Sequence, residues 1–452
     1  MNIAVVGTGY VGLVSGACLA AKGHKVICVD IDAAKVEGLN KKIPPIHEDG
    51  LPELLSQIID SGHFTATTDL HSALDKADAV IVAVGPPSTD GKIDLKYLVE
   101  VSRQIGAYIK TTDRYLSLIV KSTVLPSTTD TVVKGEVEAA SGKKLGVGFG
   151  LGMNPEFLRE GVAIFDFDNP DRIAFGYEDP KTLERLEEIY APWKADKLKV
   201  NTRTAEMIKY TNNTLLALQI SATNELANLA AHVGGIDYMK VFTGVTLDKR
   251  WSPIQADGSR SRPEILTYLT PGPGFGGSCF PKDVQAIRSQ GESFGMPMRM
   301  VNAILDVNED QPRQVVSILK QAGGSLKGKR VVLLGLAFKP DTDDVRESAS
   351  IPITEDLLEE GAVLKIHDPI ATPNFLAQPE FKGLTLNVVD DWKAAVAESE
   401  VVIVATKWKA YEALPGLDLG GKIVFDCRRM FGIDDLKAAQ VLRIGHRALA
   451  AH

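Results

Sequence analysis

The segment from Asn2 to Asp30 constrains the fold more than any other. NIAVV reads as a short buried strand, and it runs straight into Gly7-Thr8-Gly9-Tyr10-Val11-Gly12. A helix-like VSGACLAAKG follows, and then a second apolar run, KVICVD, that ends in Asp30. A GxGxxG pattern means little alone, but between a strand and a helix it is the turn of a dinucleotide-binding βαβ unit. Gly7 permits the tight turn, Gly9 lets the backbone approach a pyrophosphate, and Gly12 lets the helix close on the strand. The unpaired N–H groups of the helix N-terminus face the phosphates. Asp30 sits near the spacing expected for the acid that accepts the adenosine ribose hydroxyls. It would repel a 2′-phosphate, which favours NAD over NADP.

The same alternation continues. Residues 79–84 (AVIVAV), 116–121 (LSLIVK) and 145–149 (LGVGF) are short apolar runs separated by helix-like stretches. A second alternating region begins near residue 328, with RVVLLGLAF, VLKIHDP, EVVIVAT and KIVFDCR, but it has no glycine fingerprint. Between the two regions, residues 203–233 contain no proline or glycine and stop at Gly234-Gly235. At about 1.5 Å per residue this helix would span roughly 45 Å, enough to link domains or build a subunit interface. The expected fold class is α/β: two Rossmann-like, doubly wound parallel-sheet domains joined by a central helical region. The expected boundaries are 1–201, 202–326 and 327–452. Residues 246–264, TLDKRWSPIQADGSRSRPE, are polar and irregular and read as a loop excursion.

Lys and Arg total 50 against 58 Asp and Glu, for a formal net charge of −8, which argues against nucleic acid as a partner. No apolar run reaches the roughly 18 residues of a membrane span, and the apolar start lacks the basic flank of a signal peptide. The four cysteines, Cys18, Cys28, Cys279 and Cys427, are far apart without a CxxC pair, so neither a disulfide framework nor a metal cluster is expected. The reading is cytoplasmic.

Cys279 differs from the other three. It stands in PGPGFGGSCFPKD (271–283), where Gly274, Gly276 and Gly277 remove side chains, as expected where a ligand presses against backbone. Pro281 suits the first turn of a helix over roughly 281–290. Cys279 would then sit at a helix N-terminus, where the dipole and nearby Lys282 favour a thiolate, with Asp283 one turn on. A nucleophilic thiol beside an NAD site suits the oxidation of an alcohol to an acid. That conversion removes two hydrides, and a thiolate can hold the intermediate aldehyde as a thiohemiacetal until the second is lost.

GTGYVG (7–12), KST (121–123), NPEFLREG (154–161), KYTNN (209–213), PGPGFGGSCFPKD (271–283) and GLAFKPDTDDVRES (335–348) occur in this order along nearly the whole chain. Together they resemble the UDP-glucose/GDP-mannose dehydrogenase family. The resemblance implies that Cys279 is the nucleophile, and that Lys209 and Asp283 stabilise the oxyanion and position water. Asn213, one helical turn from Lys209, shares its face. Glu156 resembles the acid/base of thioester hydrolysis and Thr123 the group that holds the water. Cofactor contacts are implied for Tyr10, Val11, Lys35, Val84, Pro86, Ser122, Thr123, Glu160, Lys282 and Arg346. For the sugar nucleotide they are implied for Glu156, Phe157, Leu158, Arg159, Lys209 and Asn213. Tyr268, Gly274, Phe275 and Gly276 join them from the glycine loop, and Phe338, Lys339 and Arg429 (or Arg428) from the C-terminal domain.

The activity implied is a four-electron oxidation of UDP-glucose to UDP-glucuronate with two NAD, by a homodimer. Alternatives are the same chemistry on UDP-N-acetylhexosamine, UDP-galactose or GDP-mannose, or a single-hydride hydroxyacid-type dehydrogenase. Two departures stand out. Val84-Gly85-Pro86-Pro87 replaces the family's VGTP, and loss of that threonine hydroxyl removes a cofactor hydrogen bond worth about 1 kcal/mol. The arginine that reaches a neighbouring subunit's substrate is matched by Arg250, Arg260 or Arg262, with an insertion at 251–264.

Overall fold

The computed structural model describes residues 1–446 apart from Asp90 and Ile433, so residues 447–452 of the expected C-terminal domain lie outside it. The chain forms two compact units, one ending at Asn212 and the other beginning at Asn213.

The first unit is built on an eight-stranded sheet. Its order is Asp196–Val200, Arg172–Tyr177, Phe149–Met153, Leu116–Val120, Ala79–Val82, Asn2–Val6, Lys25–Val29, Phe64–Thr67. Ile3 and Val5 enter one apolar cluster and Ala4 and Val6 another, because helices cover both faces and successive side chains point to opposite sides. The sheet departs from the expected all-parallel pattern in one place: Phe149–Met153 runs antiparallel to Arg172–Tyr177.

The strand expected over 145–149 begins instead at Phe149. FGLGM has two glycines and weak strand propensity, yet it is fully buried because Thr182 and Asp179 press against it. A Cβ on Gly150 would lie 2.0 Å from Thr182 Oγ1 and 2.6 Å from Asp179 Oδ2. Packing overrides propensity here.

The second unit carries a six-stranded sheet in the order Asn387–Val388, Val363–His367, Arg330–Leu334, Val401–Val404, Ile423–Asp426, Gln440–Leu442. All its neighbours are parallel, around one apolar cluster that includes Leu333, Ile366, Ile403 and Phe425. The long helix, Thr202–Val233, begins one residue before the expected start and ends where Gly234 takes φ 77°. Residues 246–264 form the expected loop excursion, pinned by an isolated bridge between Ile254 and Arg260 and a short 3₁₀ turn from Glu264. No helix among the described residues is long and apolar enough to cross a membrane.

Candidate active site

The glycine turn between Val6 and Tyr10 is shaped by three different demands. Gly7 has φ 98°, and a Cβ there would lie 2.9 Å from the Ala83 carbonyl oxygen. Gly12 has no room at all, since its Cβ would fall 1.9 Å from Gly7 O. Gly9 is the opposite case: nothing lies within 4 Å of the position a Cβ would take. The fold therefore needs glycine at 7 and 12, whereas at 9 the free space lies outside the protein's own packing. Gly9 is the N-cap of helix Tyr10–Ala21, and no side chain caps that N-terminus. Its first-turn amides and the clear approach over Gly9 fit a pyrophosphate.

Asp30 is tied to the same turn. Its Oδ2 accepts hydrogen bonds from the Thr8 amide (2.9 Å) and hydroxyl, and its Oδ1 from the Asp32 amide (3.0 Å). Burial raises its pKa, but these donors and the Lys35 charge outweigh it, and the net shift is downward. Lys35 is exposed in the first turn of the next helix, Ala33–Asn40. Val84 lies against Gly7, and its carbonyl accepts from the buried Ser122 hydroxyl at 2.7 Å. Ser122 thus ties two strand ends together. Pro86 is buried, and Thr123 is half-buried on the next residue of the KST segment.

The NPEFLREG segment leaves strand Phe149–Met153 and carries Glu156 inward. Glu156 Oε1 accepts from Lys209 Nζ at 2.9 Å, with side-chain exposures of 6% and 5%. Its Oε2 accepts from the Leu158 amide at 2.7 Å. Burial raises the Glu156 pKa, but the Lys209 charge and hydrogen bond, the Leu158 amide and the Lys121 charge together bring it below the ordinary carboxylate value. Phe157 lies under two cations, with Arg172 at 3.9 Å and Lys209 at 5.6 Å from its centroid. Arg159 turns to Asp166 in a bidentate pair, at 3.0 and 2.7 Å.

Three residues of this unit escaped the sequence reading. The buried Glu48 accepts the Tyr10 hydroxyl and the Gly161 (2.9 Å) and Ala163 (2.6 Å) amides. It fastens the loop that includes Glu160 to the first residue of the fingerprint helix. Tyr10 therefore spends its hydroxyl on Glu48, and Val11 is half-buried beside it. Glu206, one turn before Lys209, accepts the Ser127 and Thr129 amides at 2.7 and 2.8 Å; burial pushes its pKa up to about 7 against those bonds. Lys121 is buried against Asn154 and Tyr190. A lone acid in a helix or loop gives no sequence signal of whose amides it will meet.

In the second unit, Cys279 is itself the N-cap of helix Phe280–Ser293, which has Pro281 in its first turn and no side-chain cap. Cys18, Cys28 and Cys427 are buried with pKa values pushed up by desolvation, whereas Cys279 is partly exposed. Ser278 Oγ lies 3.7 Å from its sulfur. Asp283 returns its amide to the Cys279 carbonyl at 2.9 Å. Its buried carboxylate is held by Asn213 Nδ2 on Oδ2 and Lys282 Nζ on Oδ1, each at 2.7 Å. The Phe280 ring meets Tyr268 and Phe275 at 6.3 and 6.0 Å between centroids.

The glycine loop is braced by groups the sequence reading did not single out. Asn308 accepts from the Phe275 amide (2.7 Å) and donates to the Phe275 carbonyl (2.9 Å), filling the space beside Gly274. Asn224 accepts from the Gly272 amide and Gln311 donates to the Gly272 carbonyl, both at 2.9 Å. A Cβ on Gly276 would fall 2.1 Å from Glu347 O, and one on Gly277 would fall 2.7 Å from the Phe338 ring. The bare backbone at 276–277 thus serves close packing against residues 338–347.

Lys339 lies 5.6 Å over the Phe338 ring, and Arg346 pairs with Asp344 at 2.7 Å. Of the two arginines in FDCRR, Arg428 reaches toward Gly274 O (3.4 Å) and Phe338 O (3.3 Å). Arg429, at φ 53°, turns instead to Ile444 O at 2.6 Å. Just ahead of the insertion, Arg250 is exposed and paired with Asp248, while Arg260 within it closes its own loop on the Leu247 and Ser252 carbonyls. No group of acids, histidines and cysteines among the described residues is arranged to hold a metal ion.

Comparison with known proteins gives matches along the chain. Residues 1–194 match the NAD binding domain of the UDP-glucose/GDP-mannose dehydrogenase family, residues 203–310 its central domain and residues 332–444 its UDP binding domain. The chain is 40% identical over 438 residues to the UDP-glucose 6-dehydrogenase AglM of Haloferax volcanii, covering 95% of this chain and 97% of that one. It is 37% identical over 443 residues to the UDP-glucose 6-dehydrogenase TuaD of Bacillus subtilis, covering 97% and 91%. Among solved structures it resembles a UDP-glucose dehydrogenase from Pyrobaculum islandicum, with a TM-score of 0.87, 39% identity and 98% of each chain covered.

Proposed function

The chain belongs to the UDP-glucose/GDP-mannose dehydrogenase family, and from that premise we propose that it oxidises UDP-glucose to UDP-glucuronate. The observation that carries the reading is Cys279: a partly exposed thiol at an uncapped helix N-terminus, one turn from a buried carboxylate fixed by two donors.

NAD, when bound, accepts the two hydrides the conversion releases, one per molecule. Gly7, Gly9, Gly12 and Asp30 would hold it. The chain's own residues do the rest. Loss of the first hydride and of the hydroxyl proton turns the C6 alcohol into the aldehyde. The Cys279 thiolate then adds to the aldehyde carbon, forming a C–S bond, and the carbonyl oxygen takes a proton to give a thiohemiacetal. Loss of a second hydride and of the hydroxyl proton leaves a thioester. The Lys209 ammonium stabilises oxyanions in the addition and hydrolysis steps, and the Asp283 carboxylate, an acceptor only, positions the water. Glu156, kept as a carboxylate, takes a proton from the attacking water, and the C–S bond breaks to release the acid and restore the thiol. This cycle consumes two NAD and one water per UDP-glucose.

The same reading assigns the parts as 1–201 for NAD, 202–326 for the central region with Lys209 and Cys279, and 327–452 for the UDP-sugar. A homodimer is proposed from the long helix: Leu215, Leu226, Leu229 and Val233 are exposed and recur on one face. The activity is placed in the cytoplasm, where its thiols stay reduced, as a source of UDP-glucuronate for polysaccharide assembly.

The test is NADH released per sugar nucleotide consumed, across UDP-glucose, UDP-galactose, UDP-N-acetylhexosamines and GDP-mannose. Two NADH per UDP-glucose, with UDP-glucose the best substrate, supports the reading. One NADH per turnover sinks it in favour of a single-hydride dehydrogenase.

A further inference from the structure

Lys121 is a buried cation that this mechanism leaves without a task. It follows strand Leu116–Val120 and is 3% exposed. Its Nζ donates to Asn154 Oδ1 at 2.8 Å and lies 3.3 Å from the Tyr190 hydroxyl, which also donates to Asn154. The Phe167 and Tyr190 rings sit 5.6 and 5.9 Å from it. Asn154 is anchored on its other side by donating to Ala174 O at 2.9 Å. An ammonium held by two neutral acceptors, an amide oxygen and a phenol oxygen, and by two rings has only partial compensation for its lost hydration. Burying a second lysine near the Lys209–Glu156 pair therefore calls for a reason.

The reason lies in what Lys209 must do. While Lys209 holds Glu156, the buried carboxylate has a counter-charge. When Lys209 turns to an oxyanion, Glu156 needs another positive charge or it will take up a proton and cease to be a base. We propose that Lys121 is a positioning residue, anchored on Asn154 at the head of the segment that carries Glu156, where it keeps Glu156 in place and ionised while Lys209 serves the substrate. The inference rests on the assignment of Glu156 as the acid/base of hydrolysis.

The titratable groups facing Lys121 are Glu156 from its own loop, Lys209 from the long helix, and Tyr190 just after helix Pro180–Ile189. Burial lowers the Lys121 pKa to about 8, with Lys209 lowering it further and Glu156 opposing. Lys121 is therefore charged below about pH 8 and neutral above it, and its charge in turn lowers the Glu156 pKa.

The experiment compares pH profiles of kcat for the wild-type chain, Lys121→Met and Glu156→Gln, with NAD affinity measured alongside. The proposal expects Lys121→Met to move the acid limb upward by roughly one pH unit, to lose the inflection near pH 8 and to bind NAD as the wild type does. A uniform loss at every pH, with both limbs unmoved, reduces Lys121 to packing and overturns the proposal. Wild-type turnover in Glu156→Gln overturns the acid/base assignment itself, and is recognisable without Lys121→Met. Should Lys121→Met fail to fold, the Lys121 Nζ is titrated by NMR in the wild type and in Glu156→Gln. A pKa well below the ordinary lysine value that falls further in Glu156→Gln supports the proposal, and one that does not respond to Glu156 overturns it.

Discussion

Lys209 Nζ lies 2.9 Å from Glu156 Oε1, and both side chains are almost wholly buried. A buried ion pair is a small net contributor when complete, but removing one partner strands the other charge. Lys209→Met is therefore expected to cost about 3–5 kcal/mol of stability. The double variant Lys209→Met/Glu156→Gln should recover a large part of it. Denaturant melts of the two single variants and the double variant measure this coupling, and additive losses would refute it.

The same pair gives a pH dependence with a fixed sign. The folded pKa of Glu156 is below its ordinary value, so the unfolded chain takes up the proton at higher pH than the native one. The contribution is present above the unfolded carboxylate value, about 4.3, and is lost as the pH falls through the folded value. The stability advantage of the wild type over Glu156→Gln should shrink as the pH drops from about 6 to below 4. An advantage that grows on acidification contradicts the assignment.

Gly9 and Gly12 separate ligand contact from packing. Gly12→Ala places a Cβ 1.9 Å from Gly7 O and should damage the fold itself, lowering the melting temperature by several degrees. Gly9→Ala meets nothing within 4 Å and should melt as the wild type does, yet bind NAD at least tenfold more weakly. Unchanged NAD affinity in Gly9→Ala would mean that the pyrophosphate does not approach there.

Much of this was legible in the sequence. The βαβ order, the long helix and the placement of Cys279 before a helix followed from periodicity, glycine spacing and Pro281. The edge strand Asp196–Val200 escaped because DKLKV is charged and partly solvated, and Phe149–Met153 was shifted because its glycines hide a buried strand. The braces were invisible for another reason. Glu48, Glu206 and Asn308 act on backbone groups far along the chain, and nothing in their local sequence states which amide they will meet.

Asn308 offers a test of that last class. Asn308→Ala leaves the Phe275 amide and carbonyl without their partners, at about 1–3 kcal/mol for the buried donor, and frees the loop ahead of Cys279. The expected result is a fall in kcat/KM for UDP-glucose of roughly ten- to a hundredfold with NAD affinity unchanged. Equal losses for both ligands would mean global damage.

The thioester on Cys279 is open to direct observation by intact-protein mass spectrometry. Glu156→Gln mixed with UDP-glucose and excess NAD should slow hydrolysis and accumulate a UDP-glucuronyl adduct that maps to the peptide containing Cys279 and disappears in Cys279→Ser. UDP-glucuronate formed at the normal rate by Cys279→Ser would contradict the account.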